Sequence, residues 1–245
     1  SYIGTGLEEH AKIPTKILEN VETIKMNNLE RMAVRKENEK FELYIWGRND
    51  GGSTGKNSLV PVKLENQLLE NATKVDIYSL AYALSFIGIK TENDYRLLVS
   101  GSNGESYVTG LGVATCNNWS AITYDGQNEV KKFVNASSTS SMFFTDTNRV
   151  FGFGRKSLMG IGDESTELVQ TPMELNIMDN GNKIEIDNIV AGSNFYIVID
   201  KEGKVYGTGS NSNGILGRWI GIDRKQPNSR YKTAFEWVEC PELEI

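Results

Sequence analysis

At 245 residues, with 39% hydrophobic and 24% charged side chains, the chain has material for one large domain or two small ones and an ordinary soluble balance. Its formal charge of −6 argues against a nucleic-acid backbone as the main partner, because phosphate neutralisation takes a concentrated basic surface. Two cysteines, Cys116 and Cys240, in no CxxC spacing, and a single histidine, His10, give no disulfide framework, zinc site or histidine-centred triad, and no apolar run approaches the roughly 18 to 20 residues of a membrane span.

The first expected element is a short strand ending in glycine, Tyr2-Ile3-Gly4-Thr5-Gly6, followed by a proline-led strand, Pro14-Thr15-Lys16-Ile17. Thr15 to Val34 has the best claim to helical periodicity, but Asn27-Asn28 interrupts it and its register fits strands. Leu43-Tyr44-Ile45-Trp46-Gly47 is a second glycine-ended strand; Asn49, Gly52 and Gly55 follow it, and then Pro61-Val62-Lys63-Leu64. Leu97 to Gly101 is the third, with Asn103 and a looser Gly110 and Gly112 behind it and no closing proline. Val130 to Val150 alternates strand and turn, and Val150-Phe151-Gly152-Phe153-Gly154 is the fourth such strand, leading to Ser157 to Asp163 and to Pro172-Met173-Glu174-Leu175. Asp179-Asn180-Gly181-Asn182 lacks the alternating ligands of a calcium loop and reads as a hairpin turn. Asn188 to Tyr206 reads strand, turn, strand, turn, strand; Val205 to Gly209 is the fifth glycine-ended strand, and Asn211, Gly214 and Gly217 sit behind it at the offsets of Asn49, Gly52 and Gly55. Pro241-Glu242-Leu243 is the expected last proline-led strand.

The terminal glycines of these five strands, Gly6, Gly47, Gly101, Gly154 and Gly209, lie 41, 54, 53 and 55 residues apart, a near-constant period that marks a repeat architecture. Four short strands in about fifty residues make a propeller blade, a small sheet that buries its faces only against neighbouring blades. The expected fold is therefore all-β: propeller blades of four antiparallel strands, about four to five of them in a partial ring. Residues 1–245 read as a single repeat domain with units starting near 2, 43, 97, 150 and 205, the last truncated. Further repeats or another chain are expected to close the ring, since an open arc leaves sheet faces and edges unprotected.

The glycine-rich stretch Trp46 to Ser58 invites comparison with a phosphate-binding loop, but the position of the first glycine holds Asp50, that of the magnesium-binding hydroxyl holds Asn57, and Val60-Pro61-Val62 continues as strand rather than helix. A turn is expected there, with no cofactor. The acidic pairs Glu8-Glu9 and Asp163-Glu164 have no polar partner at a telling spacing and read as solvated charges. Sequons at Asn71, Asn118 and Asn135 permit glycosylation without requiring it. The distinctive insertion carries Arg218, Trp219, Arg224, Arg230 and Tyr231, residue types enriched at protein interfaces, and Trp119 is its lesser counterpart in the second unit. These are the candidate partner-binding residues; the alternative is that Trp219 and Trp237 fill gaps between blades.

Gly209 to Gly217, Tyr44 to Pro61 and Ser157 to Pro172 resemble the regulator of chromosome condensation repeat: an aromatic strand, then Trp-Gly, Gly-x-Asn-x-x-Gly-x-Leu-Gly, a polar loop and a proline-led strand. The resemblance spans essentially the whole chain and implies a propeller of typically seven blades. It also implies a range of roles, since similar propellers act as exchange factors for a small nuclear GTPase, as a secreted β-lactamase inhibitor and as modules of large bacterial surface proteins. A protein-binding module without enzymatic chemistry is expected, with a structural subunit of a larger assembly, an inhibitor-like or exchange-factor-like propeller, or an enzyme with an interblade cleft as alternatives. The Asn-, Lys- and Ile-rich composition points to a bacterial or phage source, and so to a surface, secreted or tail-adhesion setting rather than chromatin.

Overall fold

The computed structural model describes residues 4–6, 13–27, 30–48, 57–64, 67–81, 83–102, 109–137, 139–211, 214–216 and 234–240. The chain divides into two compact units, Ser1–Glu129 and Val130–Ile245. The first holds two four-stranded antiparallel sheets. Blade 1 is β1 (Val21–Met26), β2 (Glu30–Glu37), β3 (Lys40–Gly47) and β4 (Ser58–Lys63); blade 2 is β5 (Lys74–Ala81), β6 (Ala83–Lys90), β7 (Tyr95–Ser102) and β8 (Thr115–Ile122). The second unit holds blade 3, β9 (Val130–Ala136), β10 (Ser140–Thr145), β11 (Val150–Arg155) and β12 (Leu168–Leu175). A two-stranded hairpin follows, β13 (Met178–Asp179) and β14 (Asn182–Lys183), and then blade 4, β15 (Ile186–Ala191), β16 (Phe195–Asp200), β17 (Val205–Gly209) and β18 (Ala234–Cys240). Every four-stranded sheet is a meander, with sequence neighbours hydrogen-bonded side by side.

Successive residues point to opposite faces, and the inner strands are buried on both, as the unbroken burial of Ser140–Thr145 shows. In blade 1, Met32, Val34, Leu43 and Ile45 point to one face and pack against Val75, Ile77, Ile87, Ile89 and Leu98 of blade 2. In the second unit, Met142, Phe144 and Val150 of blade 3 meet Ile186, Ile189, Tyr196 and Val198 of blade 4. Each fully buried side chain of this kind contributes about 1.5–3 kcal/mol relative to exposure. The other face of blade 3 carries a cross-strand aromatic row: the ring of Phe143 stacks on Phe133 at 5.8 Å and on Phe151 at 5.3 Å.

The recurring glycine has a specific cause. Gly47 and Gly209 are the last residues of their third strands and Gly101 and Gly154 the last but one, with φ of 110°, 96°, 118° and 101°. At each of them the ladder to the fourth strand shifts register. Such a bulge residue sits in the left-handed half of the map, where a Cβ is strained.

Several expectations meet the structure directly. Thr15 to Val34 carries no helix among the described residues: β1 ends at Met26 and β2 begins at Glu30, and the Asn27 side-chain oxygen accepts the Glu30 amide at 2.7 Å. Asn180 and Gly181 have φ of 49° and 84° between paired β13 and β14, the two-residue hairpin geometry that Asn-Gly favours. Tyr2 and Ile3 lie outside the described residues, and Gly4 to Gly6 form a bend rather than a strand end. Pro14 to Ile17 belong to no ladder among the described residues. Pro241 also lies outside the described residues, and register assigns its expected place to another residue. Val62, Ser120, Met173 and Val238 stand opposite Ile45, Val99, Gly152 and Gly207, two residues before the terminal glycine of each third strand. One residue earlier on the fourth strand are Pro61, Trp119, Pro172 and Trp237. Blade 2 thus has Trp119 at the position of the missing proline.

An alanine at position 209 would place its Cβ 2.5 Å from the Asn194 carbonyl oxygen at a φ of 96°. Gly209→Ala is expected to lower the unfolding free energy by roughly 2–3 kcal/mol, read as a fall in urea midpoint at unchanged m-value.

Candidate protein-binding loops

The connections between strands are of two kinds. The second-to-third strand turns are tight, with Asn38 and Glu39, Asn148, and Gly203 at positive φ closing those of blades 1, 3 and 4. In blade 4, Asp200 organises the turn, its carboxylate accepting the amides of Glu202 at 2.9 Å and Lys204 at 2.8 Å. The third-to-fourth strand connections are longer, spanning 48–57, 103–114, 156–167 and 210–233, and sit at the opposite end of each sheet. Long loops on a rigid sheet are where binding residues concentrate.

The longest of these is held at its base by buried groups. Ser210 donates its amide to the Asn194 carbonyl at 2.7 Å. Asn211 is fully buried; its side-chain oxygen accepts the Leu216 amide at 2.9 Å and its carbonyl accepts the Gly214 amide at 3.0 Å. Leu216, 1% exposed, closes over Gly207, where a Cβ would stand 2.8 Å from its Cδ2. On the returning strand, the Thr208 hydroxyl donates to the Ala234 carbonyl at 3.0 Å.

A neighbouring blade adds a clasp. The indole of Trp237 lies against Gly160 of blade 3, whose φ of 70° and lack of a Cβ admit the ring. Ile161 forms a bridge to Glu236, and Gly162 faces the Glu236 side chain. Behind this Gly-x-Gly, Lys156 pairs with Glu167 at 2.7 Å and with Asp163 at 3.5 Å. The Ser165 amide donates to Asp163 at 2.8 Å and, with Lys156, holds that carboxyl below its ordinary range.

Trp119 is half-buried on β8 and packs against the core between blades 1 and 2, its indole nitrogen enclosed and without a hydrogen-bond partner among the described residues. Its geometry is that of a gap-filling side chain with an exposed margin. Arg218, Trp219, Arg224, Arg230 and Tyr231 lie outside the described residues.

Two buried polar links between blades had no marker in the sequence. Ser85 donates to Glu30 at 2.7 Å, and the hydroxyls of Ser140 and Tyr196 meet at 2.8 Å. The pairs are 55 and 56 residues apart, and each joins the residue opposite a terminal glycine in one blade to the next position along in the following blade. One repeat period separates the partners, but their chemistry differs, so no residue-type motif marks them.

Two carboxylates illustrate how the acidic groups are already paired. A groove of about 630 Å3 includes Glu42, which accepts Lys63 at 2.5 Å and the Tyr44 hydroxyl at 2.9 Å; Lys63 holds it below the ordinary carboxylate range. Glu129 lies between Lys90 at 2.5 Å and Lys74 at 3.0 Å. Burial alone would raise its pKa, but the two ammonium groups outweigh that and lower it. No group of three metal-ligating side chains gathers among the described residues.

Because the folded pKa of Glu129 is depressed, its contribution is present above the unfolded value of about 4.3 and is lost as pH falls through the folded value. Thermal melts between pH 7 and 3 should show Glu129→Gln flattening the acid-side loss of stability. Asn211→Ala leaves the buried Leu216 amide unpaired and should cost about 1–3 kcal/mol. Hydrogen exchange should then speed up at Leu216 more than in β16.

Residues 186–215, from β15 to the base of the long loop, match the family model described as the regulator of chromosome condensation (RCC1) repeat. No curated protein matches the chain. Among solved structures it is similar to yeast RCC1 (Prp20) bound to Kap60, with a TM-score of 0.67 and 13% identity over 94% of this chain and 51% of that one. Human WBSCR16 gives 0.67 and 14% over 94% and 55%. Prp20p from Saccharomyces cerevisiae, described with its binding to Gsp1p and histones, gives 0.61 and 17% over 91% and 52%. The chain thus spans about half the length of these propellers, and identities at this level carry the fold alone. The chain is all-β, with a match to the RCC1 repeat model at residues 186–215 and four-stranded antiparallel blades like those of the partial β-propeller that RCC1 presents over the same span.

Proposed function

We propose that the chain is a non-enzymatic recognition module that binds a protein partner through Arg218, Trp219, Arg224, Arg230 and Tyr231, with Trp119 as a second contact. The observation that carries this reading is the anchoring of the longest loop. Asn211, Leu216, Thr208 and the Trp237–Gly160 contact fix both of its ends, and the sequence between them is rich in arginine and aromatics. A fixed base lowers the ordering cost of binding, and desolvated Trp, Tyr and Arg are the side chains that dominate interface energies. Residues 218–232 carry five basic side chains against one acidic, in a chain of net charge −6, so the partner surface is acidic. The solved relatives named with Kap60, Gsp1p and histones lend general support to a protein-interaction role. The setting we favour is a bacterial surface or phage-tail adhesion assembly, on the composition of the chain. Further repeats or another chain closing the ring belong to the same reading.

The test is affinity purification of a partner with the 245-residue chain, followed by titration of the purified pair. Trp219→Ala and Arg230→Ala are expected to weaken binding at least about tenfold at unchanged melting temperature, with affinity falling as salt rises. Trp119→Ala should lower stability as well, because its indole packs on the core. Loop variants that bind like the parent would sink the proposal.

A further inference from the structure

The link from blade 3 to blade 4 carries the hairpin of β13 and β14, with two residues on each side. Two ladder pairs are too few to be stable alone. The hairpin is held at its base, where the Ile184 amide donates to the Ile177 carbonyl at 3.1 Å and both side chains are buried, and at its flank, where Lys204 Nζ donates to the Asp179 carboxylate at 3.3 Å. Beyond that base Met178, Asn180, Gly181, Asn182 and Lys183 are exposed. At the tip Asn180 and Gly181 have φ of 49° and 84°, and nothing lies within 4 Å of the place where a Cβ on Gly181 would stand.

Asparagine followed by glycine is a self-reactive pair. The backbone nitrogen of the second residue attacks the side-chain carbonyl carbon of the first, and glycine lacks the Cβ that ordinarily hinders the approach and restricts the backbone. Among the described residues Asn180 is the one asparagine that glycine follows. Its side chain is lightly held, by a bond from Nδ2 to the neighbouring Asp179 carboxylate at 3.0 Å. Asn148 is the contrast: Nδ2 donates to the Ile184 carbonyl at 3.2 Å, Oδ1 accepts the Ile186 amide at 2.7 Å, and Arg149 follows it. Asn182 is exposed like Asn180, but Lys183 follows it.

We propose that Asn180 is a self-modification site, converted without an enzyme to a succinimide and then to isoaspartate or aspartate. The Gly181 nitrogen gives up its proton and bonds to Asn180 Cγ, the Cγ–Nδ2 bond breaks, and the nitrogen leaves as ammonia with that proton. Water then adds to one of the two ring carbonyls and opens the ring to one product or the other. The attack requires Asn180 to rotate out of the turn geometry, which a hairpin of two pairs permits by opening locally. Both products put a carboxylate beside Asp179 in place of the amide that now donates to it, so an attraction at the hairpin tip becomes a repulsion. Isoaspartate also routes the backbone through Cβ and lengthens a two-residue turn by one atom, so that Asp179 with Asn182 and Met178 with Lys183 lose their register. The link between blades 3 and 4 thereby opens as the protein ages, while the ladders within the blades are kept.

The test incubates the full chain in mildly alkaline buffer made with water enriched in heavy oxygen, followed by trypsin digestion and tandem mass spectrometry. Cleavage after Lys156 and Lys183 releases Asn176, Asn180 and Asn182 on one peptide, so the three are compared directly. Labelled isoaspartate is expected at position 180 at least about tenfold faster than at 176 or 182, and Gly181→Ala is expected to slow it about tenfold. In the converted fraction, amide exchange at Ile184 should speed up about tenfold while that of Val198 in β16 is unchanged. Conversion at 180 no faster than at 176 and 182, an equal rate in Gly181→Ala, or unchanged exchange at Ile184 would overturn the assignment. So would a folded rate below about a hundredth of that in urea, because the hairpin would then shield the asparagine. Loop variants at position 219 or 230 leave this chemistry unaffected, so it and the binding reading fail separately.

Discussion

A glycine at positive φ is the constraint on which the blades depend. Each third strand must pair fully with the second strand, then release the chain into a long connection before the fourth strand returns. Gly47, Gly101, Gly154 and Gly209 make that change of direction at φ near +100°, where the ladder to the fourth strand shifts register. With a Cβ at Gly209 the backbone of Asn194 and Phe195 would have to move, and with it the β16–β17 pairing that holds the loop base. The glycine therefore couples three things: strand register, the loop that follows, and the blade that loop clasps.

From there the clasp explains a pattern of residue types on the outer strands. At one register position blades 1 and 3 have Pro61 and Pro172, and blades 2 and 4 have Trp119 and Trp237. Proline suits an outward position on an edge strand because no ladder donor is needed there. Tryptophan suits it for another reason: its ring covers the junction with the preceding blade, provided the loop arriving there is glycine, as Gly160 is beneath Trp237. Two unrelated side chains thus answer one steric and hydrogen-bonding demand.

This is also why the architecture was legible in the sequence while parts of the site were not. The terminal glycines and the period-two strands are imposed by backbone geometry, which tolerates few residue types, so they recur visibly at 54, 53 and 55 residues. The first spacing, 41, is out of line because Gly6 lies in a bend against Val60 of β4 and not in a third strand. A glycine is required in both roles, and residue identity alone does not tell them apart. The Pro241 alignment fails for a related reason, since Trp237 fills the proline position and leaves the motif without its marker. The buried links Glu30–Ser85 and Ser140–Tyr196 were invisible because position is repeated and chemistry is not.

The same distinction separates scaffold from function in this chain. Buried positions that repeat serve packing: Leu43, Leu97 and Val150 can be exchanged for other apolar residues at modest cost so long as volume is kept. Recognition demands the reverse, a surface that differs from the repeat. The 156–167 loop stays close to the pattern, and its Lys156, Asp163 and Glu167 satisfy one another locally. The 210–233 loop keeps the buried Asn211 and Leu216 of its base and then departs from the pattern in sequence, with three arginines, Trp219 and Tyr231, more than any other of these loops has. A propeller spends its regular residues on holding the loop ends still, and the irregular residues between them are where selectivity for a partner can be written without disturbing the fold.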